Sequence, residues 1–190
     1  MKLNRHRMQL YFLSIIMSIG MLACANDSAN TEFVDPFAPA VFKEQATSLP
    51  KQAPNPAALI PFYVSKQTVF EFAIDPDSIL IGTDGVTRYS VVITNPSGGK
   101  HIQYEGIRCD SYQWRLYGTF DNDKWQENPL GTWKEIKRTV PNRYQAALAS
   151  GAFCNLNTQE KSIRSILRSL DPKNFSGGTQ PTNSFGIGSY

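Results

Sequence analysis

Two alternating segments and the turn between them decide the fold: TRYSVVIT (Thr87–Thr94), NPSGG (Asn95–Gly99) and HIQYEGIRC (His101–Cys109). Apolar and polar side chains alternate along both segments, which is the period of a strand with one buried face. Tyr89 and Val91 fall on one face of the first segment. A five-residue turn with proline and glycine joins the two strands as antiparallel neighbours. This stretch therefore predicts a hairpin at the centre of an antiparallel sheet.

Further strands are predicted on both sides of this hairpin. They are Val69–Ile74, Ile79–Gly82 and Tyr112–Phe120, with turns at Asp75–Ser78, Thr83–Gly85 and Asp121–Asp123. The Asp-Gly pair at 84–85 tolerates the positive φ of a tight hairpin turn. One face of the last strand is predicted to carry Tyr112, Trp114, Leu116, Gly118 and Phe120. Short strands joined by tight turns are antiparallel neighbours, so the sequence predicts a β-meander of about five strands.

Two helices are predicted after the sheet, at Asn142–Ser150 and Thr158–Leu170. Apolar residues in the second recur at the spacing of an amphipathic helix, namely Ile163, Ile166, Leu167 and Leu170. Gly151 is predicted to end the first helix, and Asn157 is predicted to cap the second, with Glu160 completing a capping box. The fold class is therefore α+β, with an antiparallel meander packed against one or two C-terminal helices.

The composition changes on either side of this folded part. Six of the twelve prolines lie between residues 25 and 66, so no hydrophobic period survives there. We predict a lipid anchor and Pro-rich tether at 24–66, an α+β domain at 67–170 and a disordered tail at 171–190. Spaced aromatic residues in the tether are Phe33, Phe37, Phe42, Phe62 and Tyr63. They either pack at the edge of the domain or form a short motif for an envelope partner.

Residues 1–23 have the pattern of a signal peptide. A basic start is followed by the uncharged apolar stretch Met8–Met21, which is shorter than the about 20 residues of a transmembrane helix. The sequence Met21-Leu22-Ala23-Cys24 resembles a lipobox and predicts lipid attachment at Cys24. Ala25 in place of aspartate favours the outer membrane. The alternative is ordinary cleavage at an A-x-A site, which gives a soluble periplasmic protein.

The formal charge of +3 on the 190-residue chain comes from its first residues. Lys2, Arg5 and Arg7 lie in the predicted signal peptide, which contains no acidic residue. Basic and acidic side chains are equal in number in the rest of the chain, so the exported part is neutral. A neutral chain lacks the basic surface that binds nucleic acid, and we expect no nucleic-acid partner.

The three cysteines divide between two environments. When the lipid takes Cys24, the remaining pair Cys109 and Cys154 lies in an oxidising compartment, where a disulfide is expected. The alternative is two buried free thiols. His101 is the single histidine outside the signal peptide, so no Cys/His cluster forms and no metal or other cofactor is expected.

No set of residues predicts catalysis. His101 is the one histidine that could serve as a base, and no strained nucleophile motif accompanies it. The turn Asp121–Asp123 lacks the glycine and glutamate of a calcium loop, and Asn95–Lys100 lacks the Walker spacing. No catalytic residue is therefore predicted.

The most distinctive local run is Tyr104–Cys109. Alternation places Tyr104 and Arg108 on one face of the strand. Arg108 beside Tyr104 and near Trp114 favours a cation–π stack or an anion site. The candidate ligand or partner surface consists of Arg88, Tyr104, Arg108 and Trp114. The structural alternative is an arginine stacked on an aromatic ring or paired with an acid such as Asp110.

These residues also carry a resemblance to the CNP-like family, which is named after a cryptic neisserial protein. The similar segments are Phe72-x-x-Asp75-x-x-Ser78-Ile79, Asp84-Gly85-Val86-x-Arg88-Tyr89, Tyr104-Glu105-Gly106-Ile107-Arg108-Cys109, Trp133, Tyr144-x-x-Ala147-Leu148 and Phe153-Cys154. The resemblance extends over roughly residues 68–156. It implies a small exported proteobacterial protein, in many members with a lipoprotein signal, and it implies no activity and no catalytic residues.

Three hypotheses of function follow. In the first, a non-enzymatic lipoprotein is anchored in the outer membrane, faces the periplasm and binds another envelope protein. In the second, a periplasmic protein binds a small anion or sugar at the four candidate residues. In the third, an enzyme acts on cell-wall material, although the chain offers few acid–base residues for this chemistry.

Overall fold

The computed structural model of the chain describes residues 41–139 and 143–178. The predicted signal peptide at 1–23, the predicted lipid site Cys24 and residues 179–190 of the predicted tail lie outside the described residues. Nothing in the structure tests these three predictions.

The chain divides into two compact units, and the second, Phe42–Tyr190, contains all of the secondary structure below. Its strands are β1 (Ile60–Phe62), β2 (Glu71–Ile81), β3 (Val86–Thr94), β4 (Lys100–Arg108), β5 (Gln113–Asp121), β6 (Lys124–Glu127), β7 (Lys134–Glu135), β8 (Cys154–Asn155) and β9 (Thr158–Gln159). Its helices are α1 (Tyr144–Leu148) and α2 (Ile163–Leu170), with a π-helical turn at Ala149–Phe153 directly after α1.

Seven strands form one antiparallel sheet in the order β1-β2-β3-β4-β5-β6, and β7 pairs with β5 beside β6. β8 and β9 form a separate hairpin. The turns predicted by glycine are present, with φ of 79° at Gly85 and 82° at Gly98. The predicted α+β meander with C-terminal helices is therefore confirmed, with more strands than the five expected.

The hydrophobic core lies between one face of the sheet and the helical layer. Tyr89, Val91 and Ile107 are fully buried on that face. The Tyr89 ring lies 4.9 Å from the ring of Phe153, measured between centroids. The face predicted for β3 from alternation is therefore the core face.

A β-bulge replaces the turn predicted at Asp75–Ser78. β2 pairs with β3 on both sides of this segment, and the register shifts between Asp75 and Leu80. Ser78 Oγ donates to the Asp75 carbonyl at 2.7 Å and accepts from the Ser90 N–H at 2.7 Å. The Ser78 hydroxyl replaces hydrogen bonds that the strand ladder lacks at this point. The polar segment therefore bends β2 without ending it.

A second register shift corrects the face predicted for β5. Trp114 pairs with Ile107 and Gly118 pairs with Tyr104, with a shift between Tyr104 and Glu105. A slip of one residue exchanges the two faces of a strand. Trp114 and Gly118 therefore lie on opposite faces, although strict alternation predicts one face for both.

Both predicted helices are present in shortened form. The chain continues past Gly151 as the π-helical turn, so this glycine does not end the helix. α2 begins after Ser162, whose Oγ accepts from the Ser165 N–H at 3.3 Å. The capping box predicted at Asn157 is wrong, because the residues that follow it form β9 and the helix starts only after this hairpin.

Residues 42–66 belong to the folded unit, which moves the domain boundary well before the predicted residue 67. Phe62 and Val64 are 7% and 2% exposed, and Ile60 pairs with Ile74 of β2. Proline is compatible with β1 because an edge strand needs ladder hydrogen bonds on one side only. The Pro-rich composition here therefore marks an edge strand and a covering segment, which corrects the predicted tether.

The start of the predicted tail also packs on the domain. Phe175 is 6% exposed, and its ring centroid lies 5.6 Å from that of Phe62. Gly177 lies so close to Ala147 that a Cβ at this position would overlap the Ala147 carbonyl oxygen. The prediction of disorder is therefore wrong for residues 171–178.

Candidate functional site

Three of the four residues predicted as a ligand or partner surface lie on the sheet face that points away from the helices. Strand pairing places Arg88 opposite Gly106, between Tyr104 and Arg108. Residues 42–52, called the strap below, cover this face through contacts spread along their length. The three predicted residues therefore lie beneath a segment that the sequence assigned to the tether.

Arg88 is 1% exposed, and all three of its guanidinium nitrogens have protein partners. Nε donates to Thr47 Oγ1 at 2.6 Å, Nη1 and Nη2 donate to the Asp84 carboxylate at 3.1 and 2.7 Å, and Nη2 also donates to the Gln45 carbonyl. Burial by itself raises the pKa of Asp84, but the hydrogen bonds and charge of Arg88, together with hydrogen bonds from the Gln45 and Val86 N–H groups, outweigh it and lower that pKa. Arg88 thus fastens the strap to the sheet.

Arg108 combines the two contacts of the structural alternative. Its guanidinium carbon lies 3.5 Å from the ring centroid of Phe42 and 5.5 Å from that of Trp133. Nη2 donates to Asp110 at 3.0 Å, and the Asp110 side chain is 66% exposed. An exposed pair of this kind contributes little to stability, so the cation–π contact with the strap is the stronger attachment.

Tyr104 belongs to an aromatic cluster under the strap. It is 4% exposed, and its ring centroid lies 5.9 Å from that of Tyr117 and 6.1 Å from that of Trp125. Burial raises the pKa of its hydroxyl. Gly106 makes the cluster possible, because a Cβ there would lie 2.8 Å from the Tyr117 ring. Tyr104 therefore contributes to the packing of the aromatic cluster beneath the strap.

Trp114 does not join the other three residues. It shares the opposite face of the sheet with Ile107 and packs, partly buried, against the hydrophobic core. Lys134 Nζ lies 5.5 Å from its ring centroid. Trp114 therefore does not belong to the predicted common surface. The bulge in β5 turns its side chain to the helical layer.

Glu44 is a site residue that sequence reasoning missed. Its carboxylate accepts hydrogen bonds from Tyr117 Oη at 2.7 Å, Arg115 Nη1 at 2.5 Å and Trp133 Nε1 at 3.2 Å. Glu44 therefore ties the strap to β5 and to the segment before β7. Glu44 lies in a Pro-rich segment, and its partners lie more than seventy residues further along the chain. No local sequence pattern therefore predicts its role.

Glu44→Gln is expected to lower the free energy of unfolding by about 2 kcal/mol, because Arg115 loses its charge partner while remaining partly buried. Urea denaturation followed by tryptophan fluorescence measures the change. The matched control is Glu135→Gln on the exposed surface of β7, which is expected to change stability by less than about 0.5 kcal/mol. Equal denaturation midpoints for the two variants would show that the strap contacts do not stabilise the domain.

A buried carboxyl group lies between the sheet and α1. Glu105 is 0% exposed and accepts hydrogen bonds from Tyr89 Oη at 2.7 Å, Tyr144 Oη at 2.6 Å and Gln145 Nε2 at 3.4 Å. Burial raises the pKa of Glu105 to about 7, although these hydrogen bonds act to lower it. Since no solvent reaches it, Glu105 acts on the stability of the fold and offers no proton to a ligand.

An aromatic groove of about 550 Å³ opens where β1 and β2 meet the C-terminal segment. Its principal lining residues are Pro61, Phe62, Tyr63, Phe70, Pro172 and Phe175. Among the described residues that line it, Glu71 is the one that carries a charge. The sequence marked Phe62 and Tyr63 as spaced aromatic residues, but the groove also requires Phe175 from the predicted tail.

Residues 41–139 and 143–178 contain neither a cluster of metal-ligating side chains nor a membrane-spanning helix. No three His, Cys, Asp or Glu side chains of these ranges lie together in a way that could hold a metal ion. Within the same part of the chain, no helix has both the length and the apolar character needed to cross a membrane.

The predicted disulfide is confirmed. Cys109 follows β4 and Cys154 begins β8, and their Cα atoms lie 5.6 Å apart. The bond joins the sheet to the segment that follows the π-helical turn. Cys109 is 1% exposed, so the bond lies in the core.

The fold and this bond define a class of protein, a small α+β domain whose antiparallel meander is fastened covalently to the segment that follows its π-helical turn. The chain belongs to the CNP1-like family, whose profile matches residues 37–171. The matched range includes the strap and β1, which agrees with the boundary that the structure shows. No curated protein and no solved structure matches the chain.

Proposed function

We propose that this protein is a non-enzymatic lipoprotein of the cell envelope whose domain binds another envelope protein through the aromatic groove. The observation that supports the binding role is the groove itself, about 550 Å³ of mainly apolar surface beside one carboxylate. Concave apolar surfaces with a few polar groups are the usual form of binding sites.

The chemistry of the groove defines its occupant as an extended protein segment with aromatic or aliphatic side chains and a basic residue. Phe70 and Phe175 offer ring surface to the apolar side chains. The exposed carboxylate of Glu71 offers a partner to lysine or arginine, and no other lining residue in the described part of the chain is charged. This single charge selects partners by sign.

The envelope location rests on two features. The Cys109–Cys154 disulfide suits an oxidising compartment, and the predicted signal peptide with its lipid site Cys24 directs the chain there. The lipid holds the domain at the outer membrane, facing the periplasm; cleavage that removes Cys24 leaves the same domain soluble. Palmitate labelling of the wild type and its loss in Cys24→Ala are the expected results, and an unlabelled wild type contradicts lipidation.

The geometry does not favour a small-ligand site at Arg88, Tyr104, Arg108 and Trp114. The guanidinium of Arg88 is fully engaged, and Tyr104 is buried under the strap. Trp114 lies on the other face of the sheet. These four residues hold the fold together and present no shared opening.

A photo-crosslinking amino acid at Val69, in the full chain expressed in cells, tests the groove. Val69 is 70% exposed and lies between the lining residues Thr68 and Phe70. We expect an adduct with a defined envelope protein, reduced about fivefold or more by Glu71→Lys because the reversed charge repels the basic residue of the partner. Mass spectrometry identifies the crosslinked segment of the partner.

The matched control carries the crosslinker at Leu130, which is 88% exposed and does not line the groove. If the chain with the crosslinker at Val69 is recovered only as a monomer under several growth conditions, the proposed binding of an envelope protein is contradicted. Equal adducts from both positions, or an adduct that Glu71→Lys leaves unchanged, would count against the groove as the binding site.

A further inference from the structure

An exposed leucine lies at the tip of the β8–β9 hairpin. Asn155 pairs with Thr158, so Leu156 and Asn157 form a two-residue loop between the strands. The Leu156 side chain is 89% exposed, and its φ of 55° lies in the left-handed region, which a bulky side chain rarely adopts. Asparagine or glycine would fit this position with less strain. Leucine therefore contributes neither packing nor a favoured turn here, and a strained, exposed residue of this kind is a candidate for function.

The hairpin holds this leucine in a fixed place. Cys154 at the base of the hairpin is bonded to Cys109 in the core. The Glu160 N–H donates to the Phe153 carbonyl oxygen at 2.8 Å, which extends the pairing beyond β8 and β9. An apolar side chain on a rigid support loses little conformational entropy when it contacts a partner.

Three exposed cations follow the hairpin, namely Lys161, Arg164 and Arg168. Arg164 and Arg168 are four residues apart in α2 and therefore share one face of the helix. Lys161 lines the same cleft as Asn157, which places it beside the hairpin loop. Ile163 lies between the first two cations in the chain and is 44% exposed. We call these side chains together the Leu156 surface: Leu156, Lys161, Ile163, Arg164 and Arg168.

The charge of this part of the chain is positive. Residues 157–178 carry four basic and two acidic side chains, a net charge of +2. Both acids accept hydrogen bonds from main-chain N–H groups, Glu160 from Lys161 at 3.0 Å and Asp171 from Lys173 at 2.9 Å. Within the described residues, neither acid forms a salt bridge with a cation of the Leu156 surface. The surface is therefore electropositive, although basic and acidic side chains are equal in number in residues 24–190.

We propose that the Leu156 surface contacts an anionic lipid bilayer, with Leu156 at the boundary of the acyl chains and the cations at the lipid phosphate groups. Apolar side chains beside lysine and arginine are the pattern of segments that lie on a membrane surface. An acidic protein would also match the charge. The lipid is favoured because attachment at Cys24 confines the domain beside a membrane, where weak contacts are sufficient. This choice rests on the lipoprotein part of the proposed function.

Cosedimentation with vesicles tests the contact. The protein is residues 24–190 with Cys24→Ser, so the lipid anchor does not contribute, and the vesicles are phosphatidylcholine with or without phosphatidylglycerol. We expect binding that requires phosphatidylglycerol. Arg164→Gln/Arg168→Gln is expected to weaken it about twenty-five-fold, because each cation near an anionic surface contributes about fivefold. The charge-matched control Lys100→Gln/Lys124→Gln removes two exposed cations of the sheet and is expected to change binding by less than about twofold.

Leu156→Asn separates the membrane contact from the stability of the fold. Asparagine adopts the left-handed conformation more readily than leucine, so the melting temperature is expected to equal or exceed that of the wild type. Vesicle binding is expected to fall about fivefold, because asparagine does not enter the apolar part of the bilayer. The matched control Leu130→Asn replaces a leucine that is 88% exposed and is expected to leave vesicle binding within about twofold of the wild type.

Absence of binding to vesicles with phosphatidylglycerol, or equal weakening by the variants and their controls, overturns the membrane contact. If the vesicles bind no protein and a photo-crosslinker at Ile163 gives a protein adduct in cells, the surface belongs to a protein partner and the lipid assignment is likewise overturned. These outcomes are distinguishable from failure of the proposed function, because the Val69 adduct and palmitate labelling test the groove and the lipid anchor separately.

Discussion

Removal of the Cys109–Cys154 disulfide is expected to lower the free energy of unfolding by about 4 kcal/mol, because the bond closes a loop across 45 positions of the chain and restricts the unfolded state. For a domain of this size the melting temperature falls by roughly 15 °C. The double variant Cys109→Ala/Cys154→Ala avoids an unpaired thiol, and circular dichroism during heating measures the change.

Reduction of the wild type provides the control for this experiment. A reductant is expected to lower the melting temperature of the wild type most of the way to that of the double variant and to leave the variant unchanged. Since Cys109 lies in the core, part of the loss in the variant comes from the missing sulfur atoms. Equal melting of wild type and double variant without reductant would contradict a stabilising disulfide.

The second large effect is a loss of stability with rising pH that is due to Glu105. Its pKa is about 7 in the folded protein, against an ordinary value of 4.5 for the unfolded chain. Between these values the folded state binds more protons than the unfolded state, so stability falls as pH rises. The contribution is fully present below pH 4.5 and is lost through pH 7, and it amounts to about 3 kcal/mol.

The hydrogen bonds around Glu105 explain why both protonation states are tolerated. When the carboxylate is charged, Tyr89 and Tyr144 donate to it. When it is protonated, it can donate to Tyr144 Oη, which in turn donates to Gln103 Oε1 at 2.8 Å. We therefore expect the domain to stay folded across the transition and to change only its free energy of unfolding.

Urea denaturation of wild type and Glu105→Gln at several pH values between 5 and 8 measures this effect. The glutamine keeps the shape and an acceptor oxygen but does not titrate, so its stability is expected to be nearly flat. Glu135→Gln, on the exposed surface, is expected to retain the slope of the wild type. The lowered pKa values of Asp84 and Asp110 place their titration below this window. A slope that survives Glu105→Gln would assign the effect to another group.

Local patterns were sufficient for the meander and for the two helical regions. The alternation in Thr87–Thr94 and the Asp-Gly turn at 84–85 are patterns that extend over only a few residues. Strands that follow one another in the chain pair with each other, so these local patterns are enough to predict the pairing. The prediction of a turn was wrong at Asp75–Ser78, because the same polar residues and proline that are typical of a turn form a β-bulge here. The prediction of a single face was also wrong in β5, because one inserted residue exchanges the two faces of a strand.

The candidate sites were harder to predict than the fold. The sequence separates Glu44 from Arg115 and Tyr63 from Phe175 by long stretches of chain, and no periodic pattern connects them. The aromatic spacing at Phe62 and Tyr63 was the one local signal of the groove. The sequence places Tyr104 and Trp114 near Arg108, yet the ring that stacks on it is supplied by Phe42 from the strap.

The sequence by itself determined the class of fold and the equal number of basic and acidic side chains in residues 24–190, and it predicted the pairing of Cys109 with Cys154. These follow from short-range periodicity, composition and the number of cysteines. Only the tertiary structure decided that residues 42–66 are part of the domain and that Arg88 is buried beneath them. The physical reason is that burial of a charged side chain depends on partners brought together by the fold, and local sequence carries no record of that approach.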